Sequence, residues 1–169
     1  ESARDLLENF GGHTYAVGLS LKEENIPEFK RRFEQYVINN IDLEQLVPQT
    51  DIDRELDFSE INTEFIANLR LLNPFGPSNQ KPVFVTKNVY DYGTSKLVGK
   101  TSEHIKLELV DNKSNVVMNG IAFNMSEYFE HIKAHKPFEI CYTIEENKRA
   151  LGNNVQLLIK GIRISEENA

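Results

Sequence analysis

HIKLELVDNKSNVVMNGIAF, residues 104–123, is two apolar runs divided by a polar break. In the first run Ile105, Leu107 and Leu109 alternate with His104, Lys106 and Glu108, the period of a strand with one face packed. DNKSN (111–115) has the composition of a hairpin turn, and VVMNGIAF (116–123) is the returning strand. Upstream, PVFVTKNVY (82–90) is rich in β-formers, and DYGTSKLVGK (91–100) reads as a loop with two glycines. Downstream, Ser126 caps a short helix carrying Phe129 and Ile132. Phe138, Ile140, Tyr142 and Ile144 then alternate as a fourth strand, and VQLLIKGIRI (155–164) closes as a fifth.

Three strands, a helix and two more strands is the element order of an OB-fold. This five-stranded barrel takes oligonucleotides on strands 2 and 3 and on the loops joining strands 1–2 and 4–5. The charge pattern agrees. The chain is −7 overall, which argues against a dedicated nucleic-acid binder, yet residues 81–106 hold five lysines against Asp91 and Glu103, a local +3. Lysines that neutralise phosphates and rings that stack on bases are what a single strand needs. Lys87, Tyr90, Tyr92, Lys96, Lys100 and Lys106 are therefore the candidate nucleic-acid residues, against the alternative of an ordinary solvated loop. The strand face of Tyr90 stays open, because Phe84 and Val85 compete for the interior.

The N-terminal part is of another kind. LENFGGHTYAVGLSL (7–21) reads as the end of a helix, a glycine corner, and a strand with His13 at its start. Ser2 and Asp5 resemble a capping box, Ala3, Leu6, Leu7 and Phe10 share a helical face, and Gly11 sits where a helix end wants positive φ. Two glycines would turn consecutive amides into one concavity suited to an anionic oxygen, with the imidazole as neighbouring donor. Ala16 and Gly18 would leave room on the face of His13. The alternative is a plain helix cap beside a satisfied histidine. Asn25, Pro27 and Glu28 open a second helix that buries Ile26, Phe29, Phe33, Tyr36 and Val37, with Lys30, Arg31 and Arg32 on the wet side. Arg54 to Ile61 reads as a short strand. Asn62 caps a third helix with Phe65, Ile66, Leu69 and Leu72 inward, stapled by Ile61 and Ile66. NPFGPSNQKP (73–82), with three prolines and a glycine, stops that helix. The expected domains are 1–76 and 77–169.

With 169 residues, 40% of them hydrophobic, the chain can bury one good core or two small ones, and no run is long enough to span a bilayer. A capped helix right at Glu1 suggests a piece of a longer chain. One cysteine, Cys141, excludes an internal disulfide framework and fits a reducing compartment. It alternates with core residues and lacks a base, so it is no candidate nucleophile. His131 and His135 have i, i+4 spacing without a third ligand, as in a surface pair. No DHH triplet, HxH cluster or paired aspartates supply a two-metal site, and the chain carries no complete catalytic apparatus.

The order LLENFGGHTYAVGLSL, an amphipathic helix, LRLLNPFGPSNQKPVF and then a barrel resembles the C-terminal half of the RecJ family. These are bacterial single-strand-specific 5′→3′ DNA exonucleases of the DHH phosphoesterase superfamily. GGHxxAxG is shared across the superfamily's DHH-associated domain; PFGxxNxxPVF, HIKLEL, GIAF and VQLLIKGI are the more family-specific strings. Ser78 and Gly161 depart from the family pattern, where glycine and an acidic residue are usual. The resemblance implies an α+β chain, with part of a DHH-associated α/β domain followed by the barrel. It implies Gly11, Gly12 and His13 at a substrate phosphate, and Mn2+ or Mg2+ held by a domain that this chain does not contain. It also implies single-stranded DNA, single-strand-binding protein and other repair proteins as partners, a cytoplasmic location, and no membrane. Two other readings stay open: a DHH phosphodiesterase for short oligonucleotides or cyclic dinucleotides, and a non-catalytic protein-interaction module.

Overall fold

The computed structural model describes residues 3–42, 46–146 and 155–164. Ser2 of the expected capping box and the loop joining the fourth and fifth barrel strands lie outside the described residues. The chain forms two compact units, Glu1–Gln49 and Thr50–Ala169. The division thus falls well before the proline-rich stretch at 73–82. Its cause is burial. Leu56, Phe58 and Ile66, which the sequence reading placed with the first domain, belong to the barrel's core.

The first unit departs most from expectation. A 3-10 turn at Arg4–Leu6 is followed not by helix but by strand β1 (Leu7–His13), paired antiparallel with β2 (Ala16–Leu21). His13 therefore ends the first strand of a hairpin rather than starting a strand after a helix. Two adjacent glycines oppose helix, and the alternating partner Ala16–Leu21 offers them a ladder instead. Neither glycine has positive φ. A Cβ at Gly12 would collide with the carbonyl oxygen of Ala16 and lie 2.7 Å from Val17 Cα, so close strand approach is what demands glycine there.

Helix α1 (Ile26–Asn40) carries Pro27 in its first turn as expected, but the capping pair does not form. Asn25 donates its side-chain amide to the Leu6 carbonyl at 3.3 Å, and Glu28 accepts from Arg31 and Arg32. Hydrogen bonds from the two arginines hold the Glu28 carboxyl down at about 2. The apolar side of α1 meets Phe10, Val17 and Leu19 across a groove of about 390 Å3. No α1 residue is buried, contrary to the sequence reading, because a two-stranded hairpin is too narrow to cover a 15-residue helix.

The second unit begins with a two-residue strand, β3 (Arg54–Glu55), parallel to the first barrel strand. It is shorter than expected, since the chain turns at once into a 3-10 turn at Phe58–Glu60 that buries Phe58. Helix α2 (Thr63–Leu71) starts at Asn62, whose side chain accepts from the Phe65 amide at 2.9 Å. Ile66 is buried and Phe65 and Leu69 pack on the core, while Leu72 stays largely exposed.

Five strands then close a barrel: β4 (Phe84–Asp91), β6 (His104–Asp111), β7 (Val117–Ala122), β8 (Phe138–Glu146) and β9 (Val155–Arg163). Their pairings run β4–β6–β7–β9–β8 and back to β4, with only β7–β9 parallel. Short β5 (Lys96–Val98) adds to the edge of β6. Ile105, Leu107, Leu109, Phe138, Ile140 and Leu157 fill the interior, and α3 (Phe129–Lys133) contributes Ile132. Ser126 begins a 3-10 turn ahead of α3 and makes no capping bond.

Thr86, Tyr142 and Asp111, buried in this unit, find polar partners. Thr86 Oγ1 donates to the Leu56 carbonyl at 2.7 Å and lies 2.8 Å from the Tyr142 hydroxyl, whose pKa burial pushes up. Asp111, 1% exposed, accepts from the Phe58 amide at 3.1 Å, the Lys113 amide at 2.9 Å and the Ser114 hydroxyl at 2.8 Å. One carboxylate thereby shapes the β6–β7 turn and ties the leading segment to the barrel. Burial by itself would raise its pKa, but these hydrogen bonds outweigh that and hold it below the ordinary aspartate range.

Asp111→Ala should lower stability by about 2–4 kcal/mol in urea unfolding, because it leaves buried donors unpaired; a loss under about 1 kcal/mol contradicts the anchoring role. The sign with pH follows from the depressed pKa. The carboxylate's contribution is complete above the unfolded value near ~4 and is lost as pH falls through the lower folded value. Asp111→Asn should therefore show a smaller stability drop than the parent chain between pH ~5 and ~2. Equal drops would remove Asp111 from the account of acid unfolding.

Candidate nucleic-acid interface

A phase change in β4 decides which side chains reach the outside of the barrel. Phe84 and Thr86 point inward, the register then shifts before Val89, and Val89 and Asp91 point inward in turn. Asn88, at φ 54°, sits in that shift. The bulge sends Tyr90 outward, half-buried opposite Val110, which answers the question the sequence left open. Tyr92 follows on the outside, 60% exposed, with its amide bonded to the Glu108 carbonyl at 2.9 Å.

The loop after β4 is held firmly. Asp91, 4% exposed, takes the Lys133 ammonium of α3 at 2.7 Å and the Ser95 amide at 3.2 Å. Lys133 also reaches the Gly93 carbonyl at 3.0 Å, and Ser95 Oγ accepts from the Glu108 amide at 3.1 Å. Burial alone would raise the Asp91 pKa, yet Lys133 and the loop hydrogen bonds hold it below the usual range. A helix on one side of the barrel thus sets the loop that begins the candidate interface.

β5 and β6 then place Lys96 directly opposite Lys106. Like charges facing each other across strands repel and favour an anion between or above them. Neither lysine has an ion-pair partner among the described residues, and exposed Lys100 has none either. Lys96 and Lys106 line a shallow pocket of about 190 Å3 with Thr94, Leu107, Glu108 and Asn119. The Thr94 hydroxyl donates to the Glu108 carboxylate. The +3 of the sequence is therefore redistributed. Lys81 is taken by Glu145 at 2.7 Å and Lys87 by Glu55 at 2.6 Å, so Lys87 is bound up outside the cluster that Tyr92, Lys96 and Lys106 form. Thr94, Glu108 and Asn119 escaped the sequence reading, although the outward phase of 104–110 already pointed to Glu108.

The hairpin candidates are arranged differently from the expected nest. Extended strands direct successive amides to opposite edges, so Gly11 and Gly12 make no concavity of consecutive N–H groups. The pairs His13–Ala16 and Gly11–Gly18 do share one face, lined by small residues beside the imidazole, while Gly12 pairs with Val17 on the other face. His13 Nδ1 accepts from the Tyr15 amide at 3.2 Å, which in the neutral ring leaves the proton on exposed Nε2.

Among the described residues, no three His, Cys, Asp or Glu side chains converge as metal ligands. His131 is half-buried rather than free on the surface: its Nε2 is buried without a partner and its ring stands edge-on to Phe138, while His135 is exposed in the left-handed region at φ 55°. Burial pushes the Cys141 thiol up, away from the thiolate a nucleophile needs. Among the described residues no helix is long and apolar enough to cross a membrane.

The family model described as the RecJ OB domain matches residues 52–161. The single-stranded-DNA-specific exonuclease RecJ of Bacillus subtilis is 29% identical over 163 residues, which are 96% of this chain and 20% of that protein. The Haemophilus influenzae RecJ is 27% identical over 163 residues, again 96% of this chain and 28% of that protein. The chain thus spans between 20% and 28% of the length of these relatives. The crystal structure of Thermus thermophilus RecJ in complex with Mn2+ superposes with a TM-score of 0.74 at 23% identity, over 98% of this chain and 23% of that one, a likeness of fold. The family match takes in the leading segment and nearly all of the barrel, the same residues that pack as the second unit, and on it this chain belongs to the RecJ OB-domain family.

Proposed function

We propose that this chain is the strand-gripping part of a RecJ-type exonuclease, binding single-stranded DNA on the outside of β5, β6 and β7. The observation that carries the reading is the unneutralised Lys96–Lys106 opposition beside exposed Tyr92. Phosphates relieve the repulsion of the two ammonium groups, and a base stacks on the ring. The firm anchoring of the loop at Asp91 supports it, since a loop already ordered loses little entropy on binding. The relatives named as single-stranded-DNA-specific exonucleases supply the reaction class. In this reading hydrolysis belongs to residues outside the chain, which alone is inactive, and the complete enzyme serves DNA repair and recombination.

The hairpin's role in the same proposal is to meet a substrate phosphate with His13 Nε2–H, over the small-residue face of Gly11 and Gly18. Gly12 serves by letting the strands approach. One hydrogen bond to a charged oxygen is worth about 1.5–3 kcal/mol.

Fluorescence anisotropy with an oligothymidylate tests the barrel. Lys96→Ala with Lys106→Ala should weaken binding and reduce the slope of log K against log salt by about 1–2. An unchanged slope, or equal affinity of the parent chain for duplex, would overturn the assignment. In the complete enzyme His13→Ala should slow cleavage roughly 10- to 150-fold with little change in melting temperature. An unaltered rate would exclude the phosphate contact.

A further inference from the structure

Phe123 has no packing role that explains it. It is 51% exposed and lies outside the set of residues that pack on the barrel core, although Met125 and Phe129 just beyond it belong to that set. Its ring instead stands against His104, centroids 4.9 Å apart and planes at 82°. His104 is itself fixed, because Nδ1 accepts from the Asn124 amide at 3.1 Å. An apolar ring is thus held in place on the outer surface with half of it left to solvent.

Its position on the barrel gives that exposure a meaning. Strand β6 serves as a ruler. Tyr92 is bonded to the backbone at Glu108, Lys96 faces Lys106, and Phe123 stands at His104. From Glu108 to His104 is four residues, roughly 13 Å at the rise of a strand. The order along the strand is aromatic, paired cations, aromatic. Resting on the reading that this face binds single-stranded DNA, we infer that Phe123 is a second base-stacking platform, and that Tyr92 and Phe123 bracket the phosphates neutralised by Lys96 and Lys106. The track fits within the roughly 4–16 nucleotides that one OB fold occupies. Stacking tolerates any base, so the bracket adds grip without sequence preference.

Anisotropy with a labelled oligothymidylate of about 15 nucleotides tests this on the present chain. Phe123→Leu should weaken binding roughly 5- to 30-fold, with the salt slope unchanged because no charge is removed. Phe123→Tyr should restore the affinity, and both variants should melt with the parent. Replacing single thymidines by abasic sites should reveal one more sensitive position in the parent chain than in Phe123→Leu. If the parent binds and Phe123→Leu binds within about twofold of it, or the abasic profiles coincide, the second platform does not exist. Failure of the parent chain to bind any single strand would instead remove the underlying assignment, and this inference with it.

Discussion

Barrel closure through β4 is the constraint from which the rest of the second unit follows. Its first half pairs with β8 and its end pairs with β6, and the two ladders meet at the bulge containing Asn88. The extra residue keeps Phe84 and Thr86 inside on one side and Val89 and Asp91 inside on the other. A continuous alternation would have turned Val89 to solvent and Tyr90 into the core. It would also have withdrawn Asp91 from Lys133, releasing the loop that leads to Lys96. Core, loop anchor and outer surface therefore depend on one local departure from strand geometry.

The outer surface shows why net charge is a poor guide to a binding face. Lys81 and Lys87 have the same formal charge as Lys96 and Lys106, yet each of the former sits on a carboxylate while each of the latter faces another lysine. An exposed ion pair contributes little to stability and presents little field beyond a Debye length. An opposed like pair does the reverse: it costs the fold a little and directs a local positive potential outward. A chain of net charge −7 can in this way keep a small region suited to polyanions while the remainder repels them.

Most of the barrel was legible in the sequence because its strands have one packed face. The alternation of 104–110 places Ile105, Leu107 and Leu109 in the core, and the DNKSN turn closes on Asp111 as its composition suggests. Asn62 caps its helix for the same local reason. The first unit was misread where glycines left the local signal ambiguous. Ala3, Leu6, Leu7 and Phe10 fit a helical face, but hairpin pairing with Ala16–Leu21 wins for Leu7 onward. The outward turn of Tyr90 was illegible because a bulge is a decision of the whole sheet. The compact units divide earlier than the prolines suggest, for a similar reason. Prolines at 74, 77 and 82 end a helix, but they do not say which core the helix packs on, and the Phe65–Phe84 ring contact at 5.6 Å shows that α2 packs on the barrel.

The central claim is that a single DNA strand lies across the outside of β5, β6 and β7. The most direct measurement is a titration of the 15N-labelled chain with oligothymidylate, followed by amide chemical shifts. The account predicts that the largest changes map to residues 91–98, to the outward positions of β6 and β7, and to Phe123. Shifts confined to α2 and the end of β8, or spread evenly over the surface, would contradict it.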